Sequence, residues 1–297
     1  MKALISVFLT IFIIDIKACD ICGCSVGSLY LGIMPKFHTH YIGLHYQHQV
    51  FKTLHHEALG TRKSSKELLQ SFELRGRYNI NNRIQILGFV PVHYNKQIEE
   101  TNKTSFKGLG DLSALINYHL INSENKSCSE WKQNLQIGAG LKIPTGRSKQ
   151  LDVNNIWNPY LQAGTGSWDA LMDVIYTLRY KKYGLNNTIL YSLNSVNQNQ
   201  YQFGNRMSVN SSIFMIEEYK YIIWAPNFGF QSSLTESDVH DGYRVVNSGG
   251  DNFSFSVGSD FYYNSIYFGI NVALPIYNSN TIINPQFRIN STILYNF

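Results

Sequence analysis

The sequence predicts an all-β protein: a closed, antiparallel transmembrane β-barrel of about twelve strands that follows a cleaved export signal. Composition is the first ground. Only 15% of residues are charged, 20 are Tyr and 17 are Phe, yet mean hydropathy is slightly negative. The second ground is distribution: beyond the first 18 residues, no stretch approaches the roughly 18 apolar residues of a transmembrane helix. Apolar residues without apolar runs must alternate, and a period of two marks a strand whose faces meet different surroundings. The third ground is length, since most alternating segments exceed the roughly 9 to 11 residues that a tilted strand needs to cross a bilayer.

The N-terminus predicts the compartment. Met1 and Lys2 form a basic start, Leu4 to Ile14 an apolar run, and Ile16-Lys17-Ala18 a stretch suited to cleavage after Ala18. That run is too short to span a bilayer. Cys19 directly after the cut raises lipidation as an alternative, which Lys17 and Asp15 disfavour. The expected organisation is a signal peptide over 1–18, a Cys-containing periplasmic segment over 19–36 and the barrel over 37–297.

Twelve alternating segments follow, near 37–50, 67–80, 83–96, 108–121, 131–145, 166–180, 184–195, 200–216, 219–234, 251–263, 266–277 and 285–297. An even count closes an antiparallel barrel with both termini on one side. In the second segment Phe72, Leu74, Tyr78 and Ile80 share one parity while Glu73, Arg75, Arg77 and Asn79 share the other. One side of that strand wants lipid and the other water. The fourth repeats the pattern with Leu112, Ala114, Ile116 and Tyr118 against Asp111, Ser113, Asn117 and His119, and the sixth with Trp168, Met172, Val174 and Tyr176 against Asp169, Asp173, Thr177 and Arg179. A soluble sandwich also alternates. Its outer face would carry many Lys and Glu, whereas these polar positions are Asn, Ser, Gln, Gly and isolated charges.

Connections after even-numbered segments are mostly short, as at Asn81-Asn82, Lys181 to Tyr183, Glu217-Glu218 and Asn264-Ser265. The exception, Asn122 to Glu130, carries Cys128. Odd-numbered segments are followed by long polar stretches near 51–66, 97–107, 146–165 and 235–250. Outer-membrane barrels pair short periplasmic turns with longer outer loops, which places both termini in the periplasm of a diderm bacterium. The last segment sets Phe287, Ile289, Ser291, Ile293, Tyr295 and Phe297 on one face, a pattern that resembles the terminal-strand signal read by barrel-insertion machinery. Lipid and that machinery are therefore the expected partners. The net charge of +5 is scattered, which gives no basis for a nucleic-acid partner.

Three ordered motifs, "GLGDLSALINYHL" at 108–120, "GAGLKIPTG" at 138–146 and "LQAGTGSWDALMDVIYTLRY" at 161–180, resemble the meta-pathway phenol-degradation family of outer-membrane, transporter-like barrels. The likeness is densest over about 100–210, and it implies a barrel that passes small, aromatic or hydrophobic solutes. The residues have a physical reading of their own. Gly108, Gly110, Gly164 and Gly166 suit close backbone approach beside a strand, and Trp168 suits a membrane interface. Asp111 and Asp169 are expected as lumen carboxylates paired with Arg75, Arg77 or Arg179. By parity the lumen is lined by Glu73, Arg75, Arg77, Arg83, Asp111, Asp169, Asp173, Arg179, Arg206 and Arg288, with Lys142 and Asp260, a near-balanced set. No catalytic constellation forms, and His93 falls on the lumen parity.

The segment after the signal stands apart. Cys19, Cys22 and Cys24 form a C-x-x-C-x-C cluster, with His38 and His40 about 14 residues on. Thiolates and imidazoles at that spacing can converge on copper or zinc. An oxidising periplasm offers disulfides instead, between Cys19 and Cys22 or Cys24 and Cys128. The sequence thus yields three functional expectations: a narrow channel or binding protein for a small solute, a periplasm-facing metal binder anchored by a closed barrel, and a structural or adhesive protein acting through its outer loops.

Overall fold

The computed structural model describes residues 39–56, 62–99, 102–123, 130–152 and 155–297. The signal peptide, Cys19, Cys22, Cys24, His38 and Cys128 lie outside the described residues. Twelve strands make the wall: β1 Tyr41–His56, β2 Arg62–Asn79, β3 Ile84–Ile98, β4 in two pieces (Lys103–Leu109 and Leu112–Asn122), β5 Trp131–Ile143, β6 Asp169–Tyr180, β7 Tyr183–Asn194, β8 Arg206–Met215, β9 Ile222–Thr235, β10 Gly250–Tyr263, β11 Ile266–Asn278 and β12 Ile283–Asn296. Each strand pairs antiparallel with its neighbours in sequence, and β1 joins β12 from Tyr41↔Asn296 to Thr53↔Ile283. The sheet therefore has no free edge, which is what lets strands cross a bilayer without unpaired backbone.

The pleat sorts the side chains as the alternation predicts. Ile42, Leu44, Phe72, Leu74, Ile116, Ile137, Met172 and Val257 are exposed on the outside, where lipid makes exposure favourable. The opposite parity is buried in the lumen and largely polar. Tight turns close the rim that carries the two termini. Lys181 and Asn264 adopt φ 52° and 51°, the left-handed geometry of two-residue hairpins. Beside the first of these, Lys181 pairs with Glu130 at 3.1 Å and Lys182 with Glu217 at 2.8 Å; the Glu217 carboxylate holds the Lys182 ammonium above its ordinary pKa.

Strand boundaries depart from the sequence reading in three places. The stretches near 51–66 and 97–107 are not long loops: β1 runs to His56, β2 starts at Arg62, β3 runs to Ile98 and β4 starts at Lys103. Past the lipid the outward face turns polar, as at Lys52, Ser64 and Lys66, while the inward face stays buried and largely polar, as at Thr53, Ser65 and Glu67, so chemical alternation fades while the backbone ladder continues. The eighth strand starts at Arg206, not near 200. Tyr201–Gln202 instead joins Val239–His240 and Tyr243–Arg244 in a small separate sheet.

The break in β4 also has a local cause. The ladder with β3 slips by one residue across Gly110-Asp111, between the pairs Val92↔Leu109 and Phe89↔Ser113. Pro91 stands opposite with no N–H to offer, and its carbonyl accepts from Gly110 N at 2.8 Å. A Cβ on Gly110 would meet the His93 ring at 2.6 Å, so a side chain does not fit there.

Candidate functional site

The lumen is the one concave surface that all twelve strands build, and it is filled at two depths. Near the loop rim, the connection 144–168 between β5 and β6 turns back into the barrel. Its 3-10 turn, Pro159–Leu161, is capped by Asn158, whose Oδ1 accepts from Tyr160 N at 3.0 Å. Leu161 is buried among Phe51, Leu69, Phe106 and Ile283, and Asn95 Nδ2 donates to the carbonyls of Leu161 and Gln162 at 3.1 and 3.2 Å. The inward loop is thus bonded to the wall through its backbone.

The root of that loop explains the three sequence motifs. Asp111, 1% exposed, accepts from Gly146 N at 2.9 Å, from Thr165 N at 2.7 Å and from Thr165 Oγ1 at 2.8 Å. Lys142 Nζ ion-pairs with Asp169, stands 3.8 Å from Asp111 and donates to Thr165 Oγ1 at 2.8 Å. Asp169 Oδ1 in turn accepts from Ser195 N at 3.0 Å. A Cβ on Gly146 would meet Gly164 Cα at 2.7 Å, and one on Gly164 would meet Asp111 Oδ1 at 2.6 Å. Both glycines are required because the two loop ends cross backbone to backbone over a carboxylate. "GLGD", "LKIPTG" and "GTGSWD" are three sides of one buried node.

Asp111 and Asp169 were expected to pair with Arg75, Arg77 or Arg179; their cation is Lys142. Those arginines stand elsewhere. Arg75 ion-pairs with Glu73 and lies over Phe89 at 5.9 Å. Arg77 lies over Tyr41 at 4.8 Å and donates to the Thr39 carbonyl at 2.9 Å. Arg179 is half-buried toward the terminal rim. Asp173 accepts from Asn117 Nδ2 at 2.6 Å, Arg206 Nε donates to Thr235 Oγ1 at 3.2 Å, and Arg288 reaches Gln231 at 3.5 Å. Arg83 corrects the parity reading: it is exposed in the turn before β3 and donates to the Tyr118 hydroxyl at 3.2 Å on the outer surface. A turn resets parity, so counting from a segment that began at 83 misassigned it.

Deeper in the barrel lies an apolar band of Tyr41, Leu87, Phe89, Leu115, Leu171, Leu190, Tyr267 and Leu294. None is more than 2% exposed, so among the described residues these side chains pack against their neighbours and not against water. The Tyr267 hydroxyl donates to Asp260 at 2.7 Å, and Asn227 Nδ2 donates to the same carboxylate at 3.2 Å. Polar residues finish the ring where the band stops.

The long connections at the rim opposite the termini also lock to one another, which composition does not reveal. Asp238, 1% exposed, accepts from Tyr201 OH at 2.5 Å, Tyr160 OH at 2.8 Å and Gly204 N at 2.8 Å, and Trp157 packs edge-on to Tyr201. Replacing Asp238 with Ala leaves three donors without their acceptor and is expected to cost roughly 1–3 kcal/mol. Protease cleavage within 155–165 and 236–249 should then become faster; an unchanged rate would remove Asp238 as the hub.

Among the described residues, no group of three His, Cys, Asp or Glu could hold a metal ion. His40 is the described member of the expected copper or zinc set. Its ring stacks on Tyr78 at 4.8 Å and Phe297 at 5.6 Å, and Nδ1 accepts from Asn79 N at 3.1 Å.

The sequence matches no family model and no curated protein. The fold matches solved structures. An outer-membrane channel from Pseudomonas putida F1 aligns over 90% of this chain and 100% of its own length, with TM-score 0.64 and 12% identity. The β domain of the Bordetella autotransporter BrkA aligns over 87% of this chain and 99% of its own, with TM-score 0.49 and 8% identity. At 12% identity the first likeness concerns fold alone: the chain has the closed β-barrel fold of outer-membrane proteins, with an apolar belt on its outside.

Proposed function

We propose that this barrel is a narrow, normally closed conduit or binding protein for a small aromatic or hydrophobic solute, with both termini in the periplasm and the long connections outside the cell. Turn lengths support the orientation, since the tight hairpins share the rim of the termini. The apolar band carries the solute class. A hydrated ion would lose much of its water shell against six apolar side chains and two tyrosine rings, whereas an apolar ring replaces packing with packing.

In planar bilayers the single-channel conductance should be far below that of barrels of 16 to 18 strands, which leave an aqueous channel. Selectivity should be weak, because Arg75, Arg77, Lys142, Arg179, Arg206 and Arg288 face Glu73, Asp111, Asp169, Asp173 and Asp260 within one lumen. Leu115→Asn should raise conductance several-fold by wetting the band. A large, strongly selective conductance in the native protein, or none added by Leu115→Asn, would defeat this reading.

A further inference from the structure

The outward face of the barrel is apolar almost everywhere, but at the loop rim of β1–β4 it is basic. Cross-strand register places Lys52 opposite Lys66, Lys66 opposite Ile98 and Ile98 opposite Lys103. The next row toward the terminal rim holds Leu68, Lys96 and Ser105, and the one after it Gln70, Tyr94 and Lys107. The row beyond is Phe72, Val92 and Leu109, all exposed and apolar. The lysines therefore begin one step past the lipid belt.

Among the described strand residues no carboxylate shares this patch; Glu99, exposed just past Ile98, is the acidic residue at its rim. Glu67, beside Lys66 in sequence, turns into the lumen and accepts from Thr53 Oγ1 at 2.8 Å. Elsewhere on the described outward face of the barrel strands, the charged side chain is Asp251. Like charges directly opposite one another on a sheet destabilise it, and Lys52 with Lys66 is such a pair. Lys96 Nζ sits 4.8 Å from the centre of the Tyr94 ring, at the height where an aromatic ring meets a headgroup layer.

We infer that Lys52, Lys66, Lys96, Lys103 and Lys107 form a binding site for a phosphorylated glycolipid of the outer leaflet. Its phosphates meet the ammonium groups, and its acyl chains lie over Phe72, Val92 and Leu109. The geometry selects an amphiphile over a free anion, because the charges adjoin an apolar surface that only a lipid covers. A basic cluster next to a bilayer gains attraction to anionic headgroups with each added cation. This inference rests on the orientation proposed above, since the opposite orientation would put the patch in the periplasmic leaflet.

The test uses full-length protein in detergent, read by the temperature at which the folded band disappears on a gel. Added diphosphoryl lipid A should raise that temperature by roughly 5 °C through mass action. Dephosphorylated lipid A and phosphatidylglycerol should not. A variant with Lys52, Lys66, Lys96 and Lys107 all changed to Gln should fold, keep its heat-modifiable band, and bind lipid A at least about tenfold more weakly. An equal shift in that variant, or an equal shift from phosphatidylglycerol, would overturn the site. An epitope inserted between Asp241 and Gly242, probed on intact cells, reports orientation separately. A buried epitope would refute the orientation, and an accessible one with no lipid A effect would refute the site alone.

Discussion

Lys142→Met should destabilise the barrel by about 3–5 kcal/mol, because it leaves Asp111 and Asp169 buried without their cation. Both carboxylates are 1% exposed, so water cannot take over from the lost ammonium. The effect should not stay local. Lys142 also donates to Thr165, whose N–H and hydroxyl bind Asp111, so the root of the inward loop loses its anchor. A fall in the urea midpoint should therefore come with a rise in conductance through the loop rim. Asp169→Asn added to Lys142→Met should recover part of the lost stability by removing one orphaned charge, a non-additivity expected of residues in one network. If the single variant kept the native midpoint, or if the second substitution deepened the loss, the node would not be the support described.

The second large effect is expected at Phe297. Its N–H donates to the His40 carbonyl at 3.0 Å and its carbonyl accepts from His40 N at 3.2 Å, extending the β1–β12 seam one pair beyond Tyr41↔Asn296. Its ring lies against His40 and Tyr295 and is otherwise open to lipid. Phe297→Asp places a charge at that surface, a direct cost of about 1 kcal/mol or less near the interface, and removes the aromatic ring that ends the terminal pattern. Removal of Phe297 takes away the ring and the two backbone bonds together. Outer-membrane levels of heat-modifiable protein should fall strongly in both variants. Native levels would mean that neither the seam nor the terminal aromatic pattern matters for insertion.

The wall was readable from the sequence because lipid outside and packed polar groups inside impose opposite chemistry on alternate residues. Leu74 and Arg75 cannot exchange places, so parity carries the information. The reading weakened where that contrast stops. Lys52 and Lys66 continue the ladder above the lipid, but nothing in their chemistry distinguishes a strand from a loop. The node was half legible. Its glycines and aspartates stood out as motifs, yet Lys142 as their partner depends on the 144–168 connection turning inward, a tertiary fact with no periodic signature. Asp238 was invisible for the same reason, since its three donors come from two other connections, Tyr160 from the one between β5 and β6 and Tyr201 with Gly204 from the one between β7 and β8. Cys19, Cys22, Cys24 and Cys128, expected in a metal site or in disulfides, lie outside the described residues.

The seat of Leu161 has a consequence for the order of assembly. Its pocket takes Phe51 from β1, Leu69 from β2, Phe106 from β4 and Ile283 from β12, so both ends of the chain contribute. Nearly all strand pairings are between neighbours in sequence and can form early at small entropic cost, whereas joining β1 to β12 brings together residues more than 200 positions apart. Until that last joining occurs, the pocket lacks a side and the inward loop has nowhere complete to rest. The seat is complete only in the closed cylinder, so a fully docked loop reports that the circle is finished.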